Sequence, residues 1–270
     1  MIFWLLSSGS ILTAIILVQK YRSLSGNILT VLMYHKISVN SGNDRLTVPA
    51  LMLERQFHYL NKAGYTPILL SQLSDFLIHK KQLPLKPVLI TFDDGYHDNF
   101  AILYPLVLQY GMKANIFLVA TFIECPENKV RQSTGQYLSS RDIKSMDPSI
   151  VEFGLHSYNH RNYNELSILE LNEDIIQTKS LLEKLGIPFQ SSLAFPYGAY
   201  PKKSCEKTTS FFKTLSSNNI LTAFRIGNRL NRLPLKNRFL IQRLDIRGDM
   251  SFKKFTRLLK KENHPSNLYK

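Results

Sequence analysis

Cysteine is nearly absent from the 270-residue chain: Cys125 and Cys205 are the whole supply, too few for a disulfide framework. Both sit in polar stretches and read as isolated thiols, so cysteine use does not identify a compartment. With twelve Gly and twelve Pro the chain is neither fibrous nor of low complexity, and it carries no internal repeat. Walker-loop, zinc-finger and RNA-binding patterns are missing, so no motif supports nucleic acid as a partner. Acidic residues are scarce, 20 against 34 Lys plus Arg, for a formal charge of +14. The excess is spread out, with mild concentrations at Lys202-Lys203, Arg225 to Arg247 and Lys253 to Lys261. On charge alone such a surface attracts phospholipid headgroups, anionic glycans or nucleic acid, and a merely solvated basic face is the plain alternative.

Charge is also missing from the N-terminus. No ionisable side chain occurs between Met1 and Val18, where Ile, Leu, Phe, Trp and Val dominate around Ser7-Ser8-Gly9-Ser10. At about 1.5 Å per residue such a helix spans about 27 Å, enough for a thin bilayer. There is no basic segment before it and no small-x-small cleavage site after it, which favours an uncleaved anchor over a signal peptide. The expected layout is a transmembrane anchor (or signal) at 1–18, a linker at 19–27, one catalytic domain at 28–262 and a polar tail at 263–270. Lys20 and Arg22 follow the apolar run directly, and by the positive-inside tendency they favour a cytoplasmic domain.

The remainder is 44% hydrophobic overall and long enough for one full core. Apolar, β-branched runs predict strands at Ile28 to Tyr34, Val88 to Phe92, Ala114 to Ala120, Val151 to Leu155, Ser192 to Phe195, Ile220 to Ile226 and Phe239 to Leu244. Helical spacing predicts helices at Pro49 to Ala63, Ser71 to Lys80, Phe100 to Tyr110 and Arg141 to Met146. A long helix is expected to open at the Ser167/Glu170 capping box and to end at Leu185, before Gly186. The segment Phe122 to Tyr137 reads as irregular. Strands alternating with helices imply parallel βα units, and about seven of them point to a barrel with its chemistry at the strand C-termini. Asp93-Asp94, His156 and Pro196-Tyr197 all fall at such ends.

Among them is a set suited to metal chemistry. Thr91-Phe92-Asp93-Asp94-Gly95 places two carboxylates at a strand end, and His156-Ser157-Tyr158-Asn159-His160 follows. One carboxylate and two histidines make a three-ligand site with room for water, and the second carboxylate is free to act as a base. Either motif alone has a bland reading, a solvated turn for the aspartates and a helix-start pair for the histidines.

These two motifs, with Phe195-Pro196-Tyr197-Gly198 in the same order, resemble the polysaccharide deacetylase family (NodB homology, carbohydrate esterase family 4) over residues 28 to 262. Leu32-Met33-Tyr34-His35-Lys36-Ile37 resembles the opening strand of its poly-N-acetylglucosamine deacetylase branch. The resemblance implies an α/β fold, a distorted incomplete (β/α)7 barrel, here preceded by the N-terminal transmembrane helix. It implies Asp94, His156 and His160 as ligands of a divalent metal, most often Zn2+, and Asp93 as general base. Tyr197, through its backbone N–H, and Pro196 belong to the oxyanion and substrate motif.

The sequence departs from the family in two places. The arginine often found two residues before Pro-Tyr-Gly is Ala194, and the late Leu-x-His motif is replaced by Ile241-Gln242-Arg243-Leu244-Asp245-Ile246. The poly-N-acetylglucosamine branch shares both features, and there the resemblance implies the histidine of Tyr34-His35 as general acid. Arg243 and Asp245 are either a supporting ion pair around the base or simply a strand end.

The implied function is hydrolysis of the N-acetyl group of an amino sugar in a glycan or lipid-linked glycan, releasing acetate. A silent glycan-binding or assembly protein on the same barrel, or a related O-acetyl esterase, are the alternatives. Membrane side stays open: family analogy favours an envelope-facing domain, the flanking charges a cytoplasmic one.

Overall fold

The computed structural model describes residues 28–40, 44–123, 137–202 and 204–260. The expected anchor at 1–18, linker at 19–27 and tail at 263–270 lie outside the described residues, as do Cys125 and most of the irregular stretch after Phe122. Among the described residues no helix is long and apolar enough to cross a membrane.

Seven parallel strands form the barrel: β1 (Ile28–Tyr34), β5 (Pro87–Phe92), β6 (Ala114–Leu118), β7 (Val151–Leu155), β8 (Ser192–Ala194), β9 (Thr222–Ile226) and β11 (Ile241–Asp245). The ring closes because β1 pairs with β5 on one side, Thr30 to Tyr34 against Val88 to Phe92, and with β11 on the other. It is incomplete in having seven strands rather than eight, not in being open. Distortion is clearest where a single pair, Leu155 with Leu193, joins β7 to β8. Two short strands fill gaps at the N-terminal end: β4 (Thr66–Ile68) against the first half of β5, and antiparallel β10 (Asn231–Arg232) against the start of β1. A separate pair, β2 (Lys36–Ser38) and β3 (Thr47–Pro49), lies beyond the C-terminal end of β1.

Alternation along the strands sorts side chains into two populations. Leu32, Tyr34, Val88, Ile90 and Phe92 face outward into the core shared with the helices. Leu29, Val31, Leu89, Phe117, Phe224 and Ile241 face inward and pack together. Gly154 makes room for Phe117, whose ring lies 2.6 Å from where a Cβ would be.

The helices α1 (Ala50–Lys62), α3 (Tyr104–Tyr110), α5 (Ile168–Lys184), α6 (Cys205–Ser217) and α7 (Phe252–Lys260) pack residues into the outer core, as does short α4 (Ser140–Ser145). By contrast α2 (Leu70–His79) inserts Leu70 and Leu73 into the inner cluster, closing the N-terminal mouth as a plug. The barrel caps that helix itself. Asn115 Oδ1 accepts from the Leu70 N–H at 2.9 Å and Glu152 Oε2 from the Ser71 N–H at 2.8 Å.

Two segments differ from the sequence expectation. Residues 99–110 are not one α-helix: a π-helical turn, Asn99–Leu103, precedes α3. Pro105 lacks the N–H that would continue an α ladder, which accounts for the break. Helix α6 escaped notice because its Ser- and Thr-rich sequence has weak helix propensity, yet burial of Phe211 and Leu215 and the Ser204 cap stabilise it.

Candidate active site

The site sits at the C-terminal mouth, directly above Thr91 and Arg243. Asp93 lies just past β5, where its N–H continues the ladder to the Tyr34 carbonyl at 2.9 Å. The chain then turns sharply: Asp94 and Gly95 both have φ of +71°. A Cβ on Gly95 would sit 2.9 Å from Leu118, so only glycine fits both the conformation and the space.

His156 follows β7 in the same way, its N–H bonded to the Leu118 carbonyl at 2.9 Å. Its Nδ1 lies 2.8 Å from the Ala194 carbonyl, an acceptor only, so Nδ1 carries the proton and donates. That fixes Nε2 as the atom facing the aspartates, 3.4 Å from Asp94 Oδ1 and 3.9 Å from Asp93 Oδ2. His160 Nε2 stands 3.3 Å from the same Asp94 oxygen. The pair does not open a helix; it lies on a loop in which Ser157 and His160 both have positive φ.

Asp174 of α5 holds that loop. It accepts from Ser157 Oγ at 2.8 Å and Tyr163 Oη at 2.7 Å, and from the Tyr158 N–H at 3.2 Å. Burial pushes the Asp174 carboxyl above its ordinary range, and these donors recover only part of the cost of its charge.

Ligand atoms of Asp94, His156 and His160 all lie within 4.8 Å of one another. Asp94 Oδ1 is buried and has no hydrogen-bond partner, although two imidazole nitrogens are close: their proximity lacks hydrogen-bond alignment. An unpartnered carboxylate oxygen flanked by two nitrogens fits a divalent cation. The electrostatics agree. Burial alone would neutralise His156, yet Asp93 and Asp94 bring its affinity for a proton above the ordinary value, a field that favours any cation at Nε2. Burial also opposes ionisation of Asp94, and the two histidines reverse this, leaving its carboxyl well below the usual range.

Asp93 is paired elsewhere. Arg243, fully buried at the centre of β11, donates from Nη1 to Oδ1 at 2.6 Å and from Nη2 to Oδ2 at 2.7 Å. Burial resists the charge on Asp93, and the guanidinium followed by His156 outweighs it, so the carboxyl titrates below its usual range. Of the two strand-end residues in question, then, Arg243 reaches the site. Asp245 forms no ion pair with it; its N–H bonds to Asn228 Oδ1 at 2.9 Å.

His35 follows β1 at the same mouth, half-buried, its carbonyl accepting from Asn99 Nδ2 at 3.1 Å. It is close enough to favour the charged forms of Asp93 and Asp94. Pro196 is buried, whereas Tyr197 is 66% exposed with φ of +58°. The Tyr197 hydroxyl shares a hydrogen bond with His160 Nδ1 at 3.1 Å, and the two rings meet edge to face at 4.6 Å.

Sequence reasoning missed an aromatic wall beside the histidines. Phe122 and Tyr137 meet at 4.5 Å, Tyr137 stacks on Tyr96 at 5.0 Å, and Phe122 lies 6.3 Å from His160. It also missed Asp174, whose signal was visible: a carboxylate on the stripe of Leu171, Ile175, Thr178 and Leu182 that α5 buries.

Residues 80–216 match the family model described as polysaccharide deacetylase. A Bacillus subtilis (strain 168) protein, YxkH, whose name places it among the polysaccharide deacetylases, is 32% identical over 183 residues, 67% of this chain and 61% of the relative. The poly-beta-1,6-N-acetyl-D-glucosamine N-deacetylase of Escherichia coli (strain K12) is 27% identical over 135 residues, 47% of this chain. This chain covers only 20% of that relative, so it spans less than two thirds of either curated protein. Among solved structures, a de-N-acetylase from Aggregatibacter actinomycetemcomitans superposes with a TM-score of 0.72 at 19% identity, covering 86% of this chain and 100% of that one, a likeness of fold. The match to the family model over half the chain, together with the Bacillus relative, shows that the chain belongs to the polysaccharide deacetylase family.

Proposed function

We propose that this protein hydrolyses the N-acetyl group of an amino sugar in a glycan or lipid-linked glycan, releasing acetate and a free amine. The observation that carries the reading is the pairing of two differently treated carboxylates: Asp94 joined by His156 and His160, and Asp93 held apart from them by Arg243. Asp94, His156 and His160 would hold a divalent cation, with zinc the best match to a carboxylate and two imidazoles. Bound there, such an ion supplies a Lewis acid for the acetyl carbonyl and acidifies water.

The chain's own residues supply the remaining chemistry. Asp93, ionised and fixed by the bidentate guanidinium, accepts the proton of the water that adds to the acetyl carbon. The backbone N–H of Tyr197 lies in the motif position suited to the oxyanion that forms on that carbon. When the C–N bond breaks, His35 delivers a proton to the departing amine. The exposed Tyr197 ring and the wall of Tyr96, Phe122 and Tyr137 offer apolar faces for a sugar ring.

The test is acetate release from chitooligosaccharides and poly-N-acetylglucosamine oligomers, with added zinc and then with chelator. Chelator-sensitive release is expected. Stoichiometric metal without release from any N-acetylated acceptor would overturn the deacetylase reading, and release from O-acetylated sugars alone would replace it with an esterase.

A further inference from the structure

We propose that the N-terminal end of the barrel, opposite the active site, is a cationic docking surface for an anionic phospholipid bilayer. The proposal is independent of the chemistry assigned to the site.

The parallel strands and the helices that return beside them bring one class of residue to this end. The return from α2 to β5 carries exposed Lys80 and Lys81. The excursion between β10 and β11 carries exposed Arg232, Lys236 and Arg238. Lys62, Lys184 and Lys260, the last residues of α1, α5 and α7, are exposed as well. Acidic groups here are few: Asp75, which Lys81 already neutralises at 2.8 Å, and exposed Asp147 and Glu183. The catalytic end differs, since its surface arginines are matched: Arg161 to Glu170 at 2.8 Å, and Arg247 to Asp249. The charge excess of the chain is therefore directional.

Two further observations select a bilayer over other polyanions. The chain enters the barrel at this end, because Ile28 opens β1 and pairs with Arg232. Ahead of Ile28 the sequence has an eighteen-residue run with no charge, then nine residues that include Lys20 and Arg22. Nine residues reach at most about 30 Å, so an apolar run seated in a bilayer keeps this face, rather than the catalytic mouth, against the headgroups. The same face holds a groove of ≈ 230 Å³ lined by Met146, Pro148, Pro188 and Phe189 beside Lys144, giving an apolar contact next to the cations. Basic residues near an apolar segment are the usual recognition of anionic headgroups. The consequence is an active site that opens away from the membrane.

The experiment uses the full chain in vesicles of phosphatidylcholine alone and of phosphatidylcholine with phosphatidylglycerol, so that any insertion of the N-terminus is common to both. Lysines are acetylated with a water-soluble reagent and their rates are read by mass spectrometry. Lys80, Lys184 and Lys236 are expected to react about five-fold more slowly, or less, on the anionic vesicles, and to recover in high salt. Lys202 and Lys253, at the catalytic end, serve as controls and are expected not to change. Equal rates in the two lipids, or equal protection of both ends, would overturn the proposal. Equal protection of this face by heparin or RNA would overturn it in favour of a soluble polyanion. In the charge-reversed chain Lys80→Glu, Lys184→Glu, Lys236→Glu, the lipid-dependent protection of Lys62 and Lys260 should disappear; if it persists, the surface is not the one described.

Discussion

Arg243 and Asp93, 150 residues apart in the chain, form a fully buried bidentate ion pair across the closure of the barrel, with contacts of 2.6 and 2.7 Å. A second donor contact, at 3.4 Å to Thr91 Oγ1, ties the guanidinium to the strand that carries Asp93. Removing one partner of such a pair strands a charge in a place water does not reach. Arg243→Met is expected to cost about 3–5 kcal/mol of stability, and the double change with Asp93→Asn to recover most of it. Neither variant should release acetate. Denaturant unfolding beside an activity assay separates the two effects, and a fully active Arg243→Met would show that Asp93 does not need its clamp.

The two adjacent aspartates should separate cleanly by metal content. Asp94→Ala and His156→Ala remove ligands and are expected to lose both bound metal and turnover. Asp93→Asn keeps the ligand set, so it should bind metal as the parent does while losing activity by about 10²-fold or more. Metal analysis of the purified variants decides this, and metal loss in Asp93→Asn would move Asp93 into the ligand set.

What the sequence made legible was local. Strand identities, the Ser167 capping box and the turn at Asp94-Gly95 follow from short-range patterns, and the structure places them within a few residues of expectation. The three ligand residues were legible because each follows a strand directly, and a parallel barrel brings strand ends together whatever the helices do. What stayed hidden depends on contacts distant in sequence. The partner of Arg243 could not be read from Ile241 to Ile246, where Asp245 was the nearer carboxylate. Helix α2 looks like any amphipathic helix, yet its apolar face fills the barrel mouth because β4 delivers it beneath β5 and β6.

Asp174 touches no ligand atom, yet it sets the backbone between the two histidines through Ser157, Tyr158 and Tyr163. Asp174→Ala is expected to weaken metal affinity by about 10–100-fold, the usual scale for a supporting partner. Asp174→Asn, which keeps acceptor capacity, should recover part of the loss. Metal titration followed by competition with a chelator measures both. Unchanged affinity in Asp174→Ala would mean that the loop keeps its shape without this anchor.

If His35 delivers the proton to the departing amine, its loss should matter only when the leaving group needs one. His35→Ala is expected to slow release from an N-acetyl sugar by about 10²–10⁴-fold. Hydrolysis of an aryl acetate, whose phenolate departs unaided, should be nearly unchanged. Parallel loss on both substrates would assign His35 to structure or water positioning instead.

Asp98 gives a pH signature unconnected with the reaction. Burial raises its carboxyl to about 6, even though Asn99 Nδ2 at 2.7 Å and the Ile37 N–H donate to it and Lys36 is near. A folded-state value above the unfolded one means that the native protein holds the proton more tightly. Its contribution to stability is therefore fully present below about 3.8 and is lost as pH rises through about 6. Asn at this position keeps an acceptor oxygen and never has to ionise. Asp98→Asn is expected to match the parent near pH 4 and to exceed it by on the order of 1–2 kcal/mol above about pH 7. Denaturant midpoints measured at both pH values test this. A gain of the same size at both would trace the effect to packing, and a loss above pH 7 would mean that the ionised carboxylate is a net stabilising acceptor for Ile37 and Asn99.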